Sequence, residues 1–424
     1  MSSDVGYDPL SDPEERRVLY AAIDSFRQYR HTAHYNITHL RRRSFYTLPS
    51  SHMSLLASPP FSLPAAFDVV DRAIDASADI ADLIVSIALV SFGVDQDDDW
   101  KGKAMPGDMD KARSTIRQLY RDWSLEAEPE RHACYDPILF ALAAQFSHIP
   151  PQERHRVQVL VPGAGLGRLV FEICKAGWTV EGNEISYHQL LASNFVLNKT
   201  PSAFAYPLYP WALSFSNHRT RADQFRQVMI PDVHPATELA RVSVERGDRM
   251  HSSERMSMSS GDFCVIYQEA EYANSFDAIT TCFFIDTAPN LIAYIETVLN
   301  CLKQGGYWIN LGPLLWHFEN APHPGAKEDH GPDVSGSSSP RLDDTTHQSG
   351  STRCEEYERN IGIGKAGSFE LADDEVIALL RHFGFEIVQH VIDGLATGYV
   401  QDPESMLQNV YRPSFWIARK LKKS

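Results

Sequence analysis

"VQVLVPGAGLGRLVFEICKAGWTVEGNEIS", residues 157–186, decides the fold. A short apolar run leads into three glycines, an amphipathic stretch follows, and "TVEGNE" rises to an acid. That is strand, tight turn, helix, strand: one complete βαβ unit. Downstream strands read as "FDAITTCFFI" (276–285), "GYWINLG" (306–312), "FEIVQHVI" (385–392) and "SFWIARK" (414–420), with helical stretches at 288–303 and 371–383. Such alternation predicts an α/β protein with a doubly wound, Rossmann-like sheet. The last two strands have no helix between them, which predicts an antiparallel C-terminal hairpin at one edge.

Upstream, residues 1–150 carry helical signals and no strand. Ser11-Asp12-Pro13-Glu14-Glu15 combines a capping residue, proline in the first turn and acids at the positive helix end. "LPAAFDVVDRAIDASADIADLIVSIAL" repeats apolar residues at helical spacing, and "DMDKARSTIRQLYRDWS" and "PERHACYDPILFALAAQF" supply two further helices. The expected organisation is a helical region, 1–150, contributing to a cofactor lid, and a main domain, 151–424, with inserts at 200–261 and 321–353. The second insert, rich in Ser, Gly, Pro and Asp, is too polar to order itself.

The chain has 424 residues, 43% of them hydrophobic, and a formal net charge of −16. It can bury a core, but it lacks the surplus cations that general nucleic-acid binding needs. Arg41-Arg42-Arg43 is the one obvious basic run, and a solvated helix face is its plain reading. Cys134, Cys174, Cys264, Cys282, Cys301 and Cys354 are scattered without zinc spacing, and His31, His34 and His39 read as helix-surface residues, so no metal is expected. The polar, acidic N-terminus does not read as a signal peptide, and the longest apolar run, 83–94, is too short to span a bilayer. The expectation is a soluble cytoplasmic protein, with the nucleus as a second compartment. Its oligomeric state, homodimer included, stays open.

Gly163, Gly165 and Gly167 are spaced GxGxG, and Arg168 stands where a dinucleotide fingerprint needs its third glycine. This disfavours an NAD-linked oxidoreductase and suits a ligand without a pyrophosphate. Glu184, ending the next strand, is placed to accept from two ribose hydroxyls. Asp262 and Phe263 offer an acid for an adenine amine and a ring to face the base. Together with "CLKQGGYWIN", a phrase typical of class I methyltransferases, these features point to S-adenosylmethionine. Gln118 and Arg121 share a helix face, and a guanidinium there suits the methionine carboxylate.

A wider set of motifs resembles the carnosine N-methyltransferase family. They read "STIRQLYRDWS" (114–124), "ERHACYDPI" (130–138), "VLVPGAGLGRL" (159–169), "SNFVLN" (193–198), "YPW" (209–211), "GDF" (261–263), "CFFIDTA" (282–288) and "INLGPLLWHFEN" (309–320), together with the segment from Tyr399 to Tyr411. The resemblance implies methyl transfer from S-adenosylmethionine to the π nitrogen of an imidazole, turning carnosine into anserine; some members modify histidine within proteins. By matching motif it implies cofactor contacts at Gln118, Arg121, Gly163, Gly165, Glu184, Asp262, Phe263 and Cys282. Substrate contacts would be Asp286, His317, Tyr399 and Tyr411, with Asp286 and His317 catalytic. The insert at 321–353 departs from the family's shorter forms.

Asp286, one acid after a buried strand, is the sharpest case. It would accept the far N–H of a neutral imidazole, leaving the other nitrogen's lone pair for the methyl group. The plain alternative is that it caps the helix beginning near Pro289. A methyltransferase of exocyclic amines would carry an Asn/Asp-Pro-Pro-aromatic loop here, and Asp286-Thr287-Ala288-Pro289 does not match. A non-enzymatic scaffold using 321–353 for docking is the remaining class, and intact Glu184 and Asp286 argue against it. Deleting 321–353 should leave the melting temperature within about 1 °C of the full chain, roughly the shift that ~1 kcal/mol produces in a chain of this size. Limited proteolysis should cut there first, and a marked drop in melting temperature would make the segment part of the fold.

Overall fold

The computed structural model describes residues 10–318 except 96, and 367–422 except 393 and 395. The insert expected at 321–353 lies outside them. Among the described residues nine strands follow one another: β1 (Gln158–Pro162), β2 (Thr179–Glu184), β3 (Tyr206–Leu208), β4 (Val228–Ile230), β5 (Met256–Ser260), β6 (Phe276–Cys282), β7 (Leu302–Gly312), β8 (Phe385–Val391) and β9 (Ser414–Lys420). The central sheet runs β5-β2-β1-β6-β7-β9-β8. Its first five strands are mutually parallel; β9 is antiparallel to both β7 and β8. The C-terminal pair is therefore antiparallel as expected, with β8 at the edge. The segment 392–413 joins the two strands in place of a tight turn.

Chain order reverses beside β1, which has β2 on one side and β6 on the other. Ligands of open α/β sheets bind at such a switch point, outside the carboxyl ends of the strands. The apolar residues of β1 are buried on both sheet faces, which explains their unbroken run.

Before the sheet come α1 (Pro13–Ala33), α2 (Leu40–Phe45), α3 (Ser50–Ala57), α4 (Leu63–Phe92), α5 (Pro106–Trp123) and α6 (Glu128–Gln145). Asp12 caps α1, accepting from the backbone N–H of Glu14 at 2.8 Å and Glu15 at 3.2 Å. One hydrophobic cluster runs from Leu19 and Ile74 through Trp123 and Leu142 to Val159 and Phe171, so the helices and one sheet face share a core. The other face packs Leu160, Tyr294, Trp308, Leu380 and Trp416. Arg41 lies over the Phe215 ring and Arg42 pairs with Asp68 and Asp71, so these two arginines of the basic run are engaged within the chain. His34 sits 2.9 Å from both Asp71 and Asp75, and His39 stacks on Tyr35. Among the described residues no helix is long and apolar enough to cross a membrane.

Within and beyond the sheet run α7 (Arg168–Lys175), α8 (Tyr187–Asn198), α9 (Arg221–Gln224), α10 (Pro235–Arg246), α11 (Phe263–Tyr267), α12 (Leu291–Cys301) and α13 (Asp373–His382). Two expectations need correction. The insert bounded at 200–261 runs too far, because β5 inside it pairs with β2 as the edge of the central sheet. Its sequence, "MSMSS", lacks the β-branched and aromatic residues that mark a strand; sheet pairing imposes what propensity does not. The strand read to Ile285 ends at Cys282, where Phe283 turns to a φ of 54°.

Arg168, the residue that breaks the dinucleotide spacing, has a structural task. Its guanidinium grips Asp232 at 2.6 and 3.1 Å, and Arg131 of α6 meets the same carboxylate at 2.8 Å. All three side chains are nearly buried. This network fastens the loop after β4 to both the helical layer and α7. Asp232→Asn leaves two buried cations short of charge and should destabilise the protein by about 3 kcal/mol, the lower end for breaking a buried pair. Urea denaturation checks it, and a change below roughly 1 kcal/mol would place the network among ordinary surface pairs.

Candidate functional site

A cavity of about 300 Å³ opens where β1, β2 and β6 end. Gly163 and Gly165 form its floor at φ of 67° and 57°, conformations that side-chain-bearing residues rarely adopt. At Gly163 a Cβ would also meet the Phe284 ring at 2.4 Å. Both features require glycine, and Gly163→Ala would push into the cavity wall.

Glu184, at the end of β2, reaches back under this loop. Its Oε2 accepts from Gly165 N–H at 2.8 Å, and its Oε1 from Ile185 at 3.0 Å and Ser186 at 2.9 Å. Burial pushes its carboxyl above the usual range, and the three N–H groups oppose that rise. The expected ribose acceptor is thus also the brace of the glycine turn, which its place in the sequence did not disclose.

The other cavity residues come from every layer. Gln118 and Arg121 of α5 line it, as do Asp262, Phe263, Cys282, His317 and Tyr399. Asp262 caps α11, accepting from Cys264 at 2.7 Å and Val265 at 3.2 Å through one oxygen. Phe263 is edge-on to Tyr294 and to Phe284, which stack on each other at 4.9 Å. Tyr294, Phe284 and Tyr135 also belong to the wall and were not singled out from sequence. Tyr294 lies on an apolar helix and reads as core; only the packing shows that it borders a cavity.

Arg121 is buried and closely attended. Asp122 sits 3.1 Å from one terminal nitrogen and Glu130 3.2 Å from Nε, while the Tyr399 ring lies 4.6 Å from the guanidinium carbon. Nε is not aligned to hydrogen-bond Glu130 and is left without a partner. Burial lowers the guanidinium's pKa, but the surrounding groups raise it further, leaving it firmly cationic. Cys282 meets the thiol of Cys134; that contact and then burial push its own thiol well above the usual range, so it presents a neutral surface to the cavity.

Asp286 lies in a single 3₁₀ turn, Ile285–Thr287, beyond the strand. It does not cap α12: Asn290 does, accepting from Ile292 N–H at 3.0 Å. One Asp286 oxygen accepts from Leu315 N–H at 3.2 Å; the other is buried and unpartnered. Burial pushes this carboxyl up to about 6, with His317 pulling the other way. The His317 backbone donates to the Asp286 carbonyl at 3.1 Å, so the two residues are locked together while the His317 side chain remains exposed.

Asp286 and Tyr411 are not among the cavity walls. Asp286 stands immediately outside, between the lining residues Phe284 and Thr287. Tyr411 exchanges backbone hydrogen bonds with Thr397 and sets its ring edge-on to Phe283 at 5.7 Å. Phe283, in turn, lies 5.1 Å from Tyr399.

The residues fit a nucleoside bearing an amino acid. Glu184 suits vicinal hydroxyls, the aromatic wall a base, and the cationic Arg121 that lines the cavity a carboxylate. The model for carnosine N-methyltransferases matches residues 98–422. A carnosine N-methyltransferase of Schizosaccharomyces pombe is 34% identical over 96% of this chain and 97% of its own length. One from Mus musculus is 42% identical over 72% of each chain. Among solved structures, an S-adenosylmethionine-dependent methyltransferase from Clostridium acetobutylicum aligns over 73% of this chain and 99% of its own, with a TM-score of 0.34 and 10% identity. With a matched span from the helical layer to the last strand, and a fold and cavity of the kind such an enzyme needs, the chain belongs to the carnosine N-methyltransferase family.

Proposed function

We propose that this protein methylates the π nitrogen of an imidazole, with carnosine as acceptor and S-adenosylmethionine as donor. The observation that carries the reading is Asp286: a buried carboxylate with one oxygen unpartnered, next in the chain to Thr287 of a cavity wall suited to the donor. A buried acceptor left open in this way can be met by a water, an ion or a ligand group. An imidazole N–H is such a group.

When bound, the donor offers an electrophilic methyl group. The chain's own residues do the rest. Glu184 and Asp262 hold the nucleoside end, Phe263 faces the base, Cys282 gives an apolar wall, and Gln118 and Arg121 take the amino-acid end. The helical layer, through α5, is thereby a lid. Asp286 fixes the acceptor's proton on the far nitrogen and so keeps a lone pair on the near one. As the ring becomes cationic, the fixed carboxylate stabilises it more than the neutral ring. His317 and Tyr399 border the acceptor, and Tyr411 acts through Phe283. A histidine within a protein presents the same ring. A labelled-methyl assay on cell extract, separated by size, decides between small and protein acceptors.

Asp286→Asn keeps the shape but removes the charge. Turnover should fall by about 10²–10⁴, the range for groups that position and stabilise an imidazolium, with donor affinity retained. Near-normal turnover would remove Asp286 from the chemistry. The pH profile gives an independent check. Asp286, pushed up to about 6, loses its charge as pH falls through that value, and free imidazole protonates near pH 6.5. Wild-type kcat/KM should therefore approach a slope of 2 on the acid side, and the Asn variant a slope of 1.

Glu184→Ala should weaken S-adenosylhomocysteine binding by roughly ten- to a hundredfold, since charge-assisted bonds and the brace under Gly165 go together. Calorimetry showing unchanged affinity would place the nucleoside elsewhere.

A further inference from the structure

Glu130 opens the "ERHACYDPI" motif, and the chemistry above gives it no role. Its side chain is 10% exposed and sits at the start of α6. Its Oε1 accepts from Val400 N–H at 2.7 Å and its Oε2 from Gln401 N–H at 3.1 Å. The same Oε1 lies 3.2 Å from Arg121 Nε. One carboxylate thus touches the guanidinium assigned to the donor and the two residues that follow Tyr399, assigned to the acceptor.

The backbone it grips is strained. Val400 has a φ of 53°, a left-handed conformation that a β-branched residue adopts only when its surroundings enforce it. Its carbonyl is held as well, by Arg117 at 3.0 Å, so both polar groups of its main chain end on α5 or α6. The outcome is the placement of the Tyr399 ring 4.6 Å from the Arg121 guanidinium.

We propose that Glu130 is a positioning residue that couples the two halves of the site, holding the Val400 backbone so that Tyr399 stays against Arg121 and the acceptor's seat is set by the donor's clamp. Glu130 touches neither reactant; it works through Tyr399 and Arg121. The proposal rests on the acceptor assignment made above, and one arm of its test does not.

That arm is amide exchange of ligand-free, full-length protein, read by mass spectrometry over 396–411. In Glu130→Gln the exchange of this segment should quicken by about tenfold or more, because a carboxylate accepting two N–H bonds is replaced by a neutral amide with one acceptor oxygen. Unchanged exchange would overturn the proposal whatever the acceptor is.

The second arm is kinetic. Glu130→Gln should raise KM for carnosine by roughly tenfold, whereas a merely structural role would lower the active fraction and leave KM alone. Val400→Gly in the Gln background relieves the strain, since glycine takes left-handed φ freely, and should recover at least about a third of the loss in KM. No recovery, or an unaltered KM in the single variant, would overturn the coupling. If Glu130→Gln fails to fold, Glu130→Asp takes its place: it keeps the charge, is too short to span both N–H groups and Arg121, and should shift KM and exchange in the same direction. Wild-type protein that does not methylate carnosine would sink the functional reading, while the exchange arm would still report on Glu130.

Discussion

The carboxylate of Glu184 is buried at the point where β2 ends, and three backbone N–H groups are aimed at it. An ion there costs desolvation that few contacts offset. Here the donors come from the glycine turn after β1 and from the entry to α8, so the charge ties two crossover connections together at the switch point of the sheet. The glycine loop can hold its left-handed turns because Glu184 fixes one of them from below. Remove that contact and the cavity floor loses its shape along with its hydroxyl acceptor.

Around this centre the helical layer does more than cover a sheet face. It shares a core with the sheet and contributes Arg121, Arg131 and Glu130 to buried polar networks. Buried arginines are tolerable only with carboxylates and carbonyls close by. Arg168 and Arg131 share Asp232; Arg121 has Asp122 and Glu130. These pairings hold α5 and α6 in register with the loop after β4 and with the strap between β8 and β9. The Arg121 guanidinium, which lines the cavity, stays cationic between Asp122 and Glu130.

On the acceptor side, rigidity comes from strained backbone. Phe283 and Val400 both sit at left-handed φ, and their neighbours meet: Phe283 with Tyr399, Tyr411 and Arg121. Strain of this kind persists only where packing and hydrogen bonds over-determine the chain. Asp286 is fixed in the same spirit, with Leu315 N–H on its carboxylate and His317 N–H on its carbonyl.

The sequence by itself determined the parallel sheet, the glycine turn, the acid that ends β2 and the acid shortly after β6, because each is written in local chemistry. Apolar runs mark buried strands, glycine marks positive φ, and an acid after a strand is conspicuous against its neighbours. The family resemblance named Gln118, Arg121, Glu184, Asp262, Phe263 and Cys282 as cofactor contacts and His317 and Tyr399 as substrate contacts; only the fold brings both sets to one cavity. Other features depended on contacts between distant segments. The strand β5 has no propensity of its own and exists because β2 offers it an edge. Whether Asp286 capped a helix was undecidable until Asn290 was seen in that place. Arg168 looked like a missing glycine and is instead half of a buried ion pair with a residue some sixty positions away in the chain. The partners of a buried charge are chosen by three-dimensional proximity, and no local pattern records them.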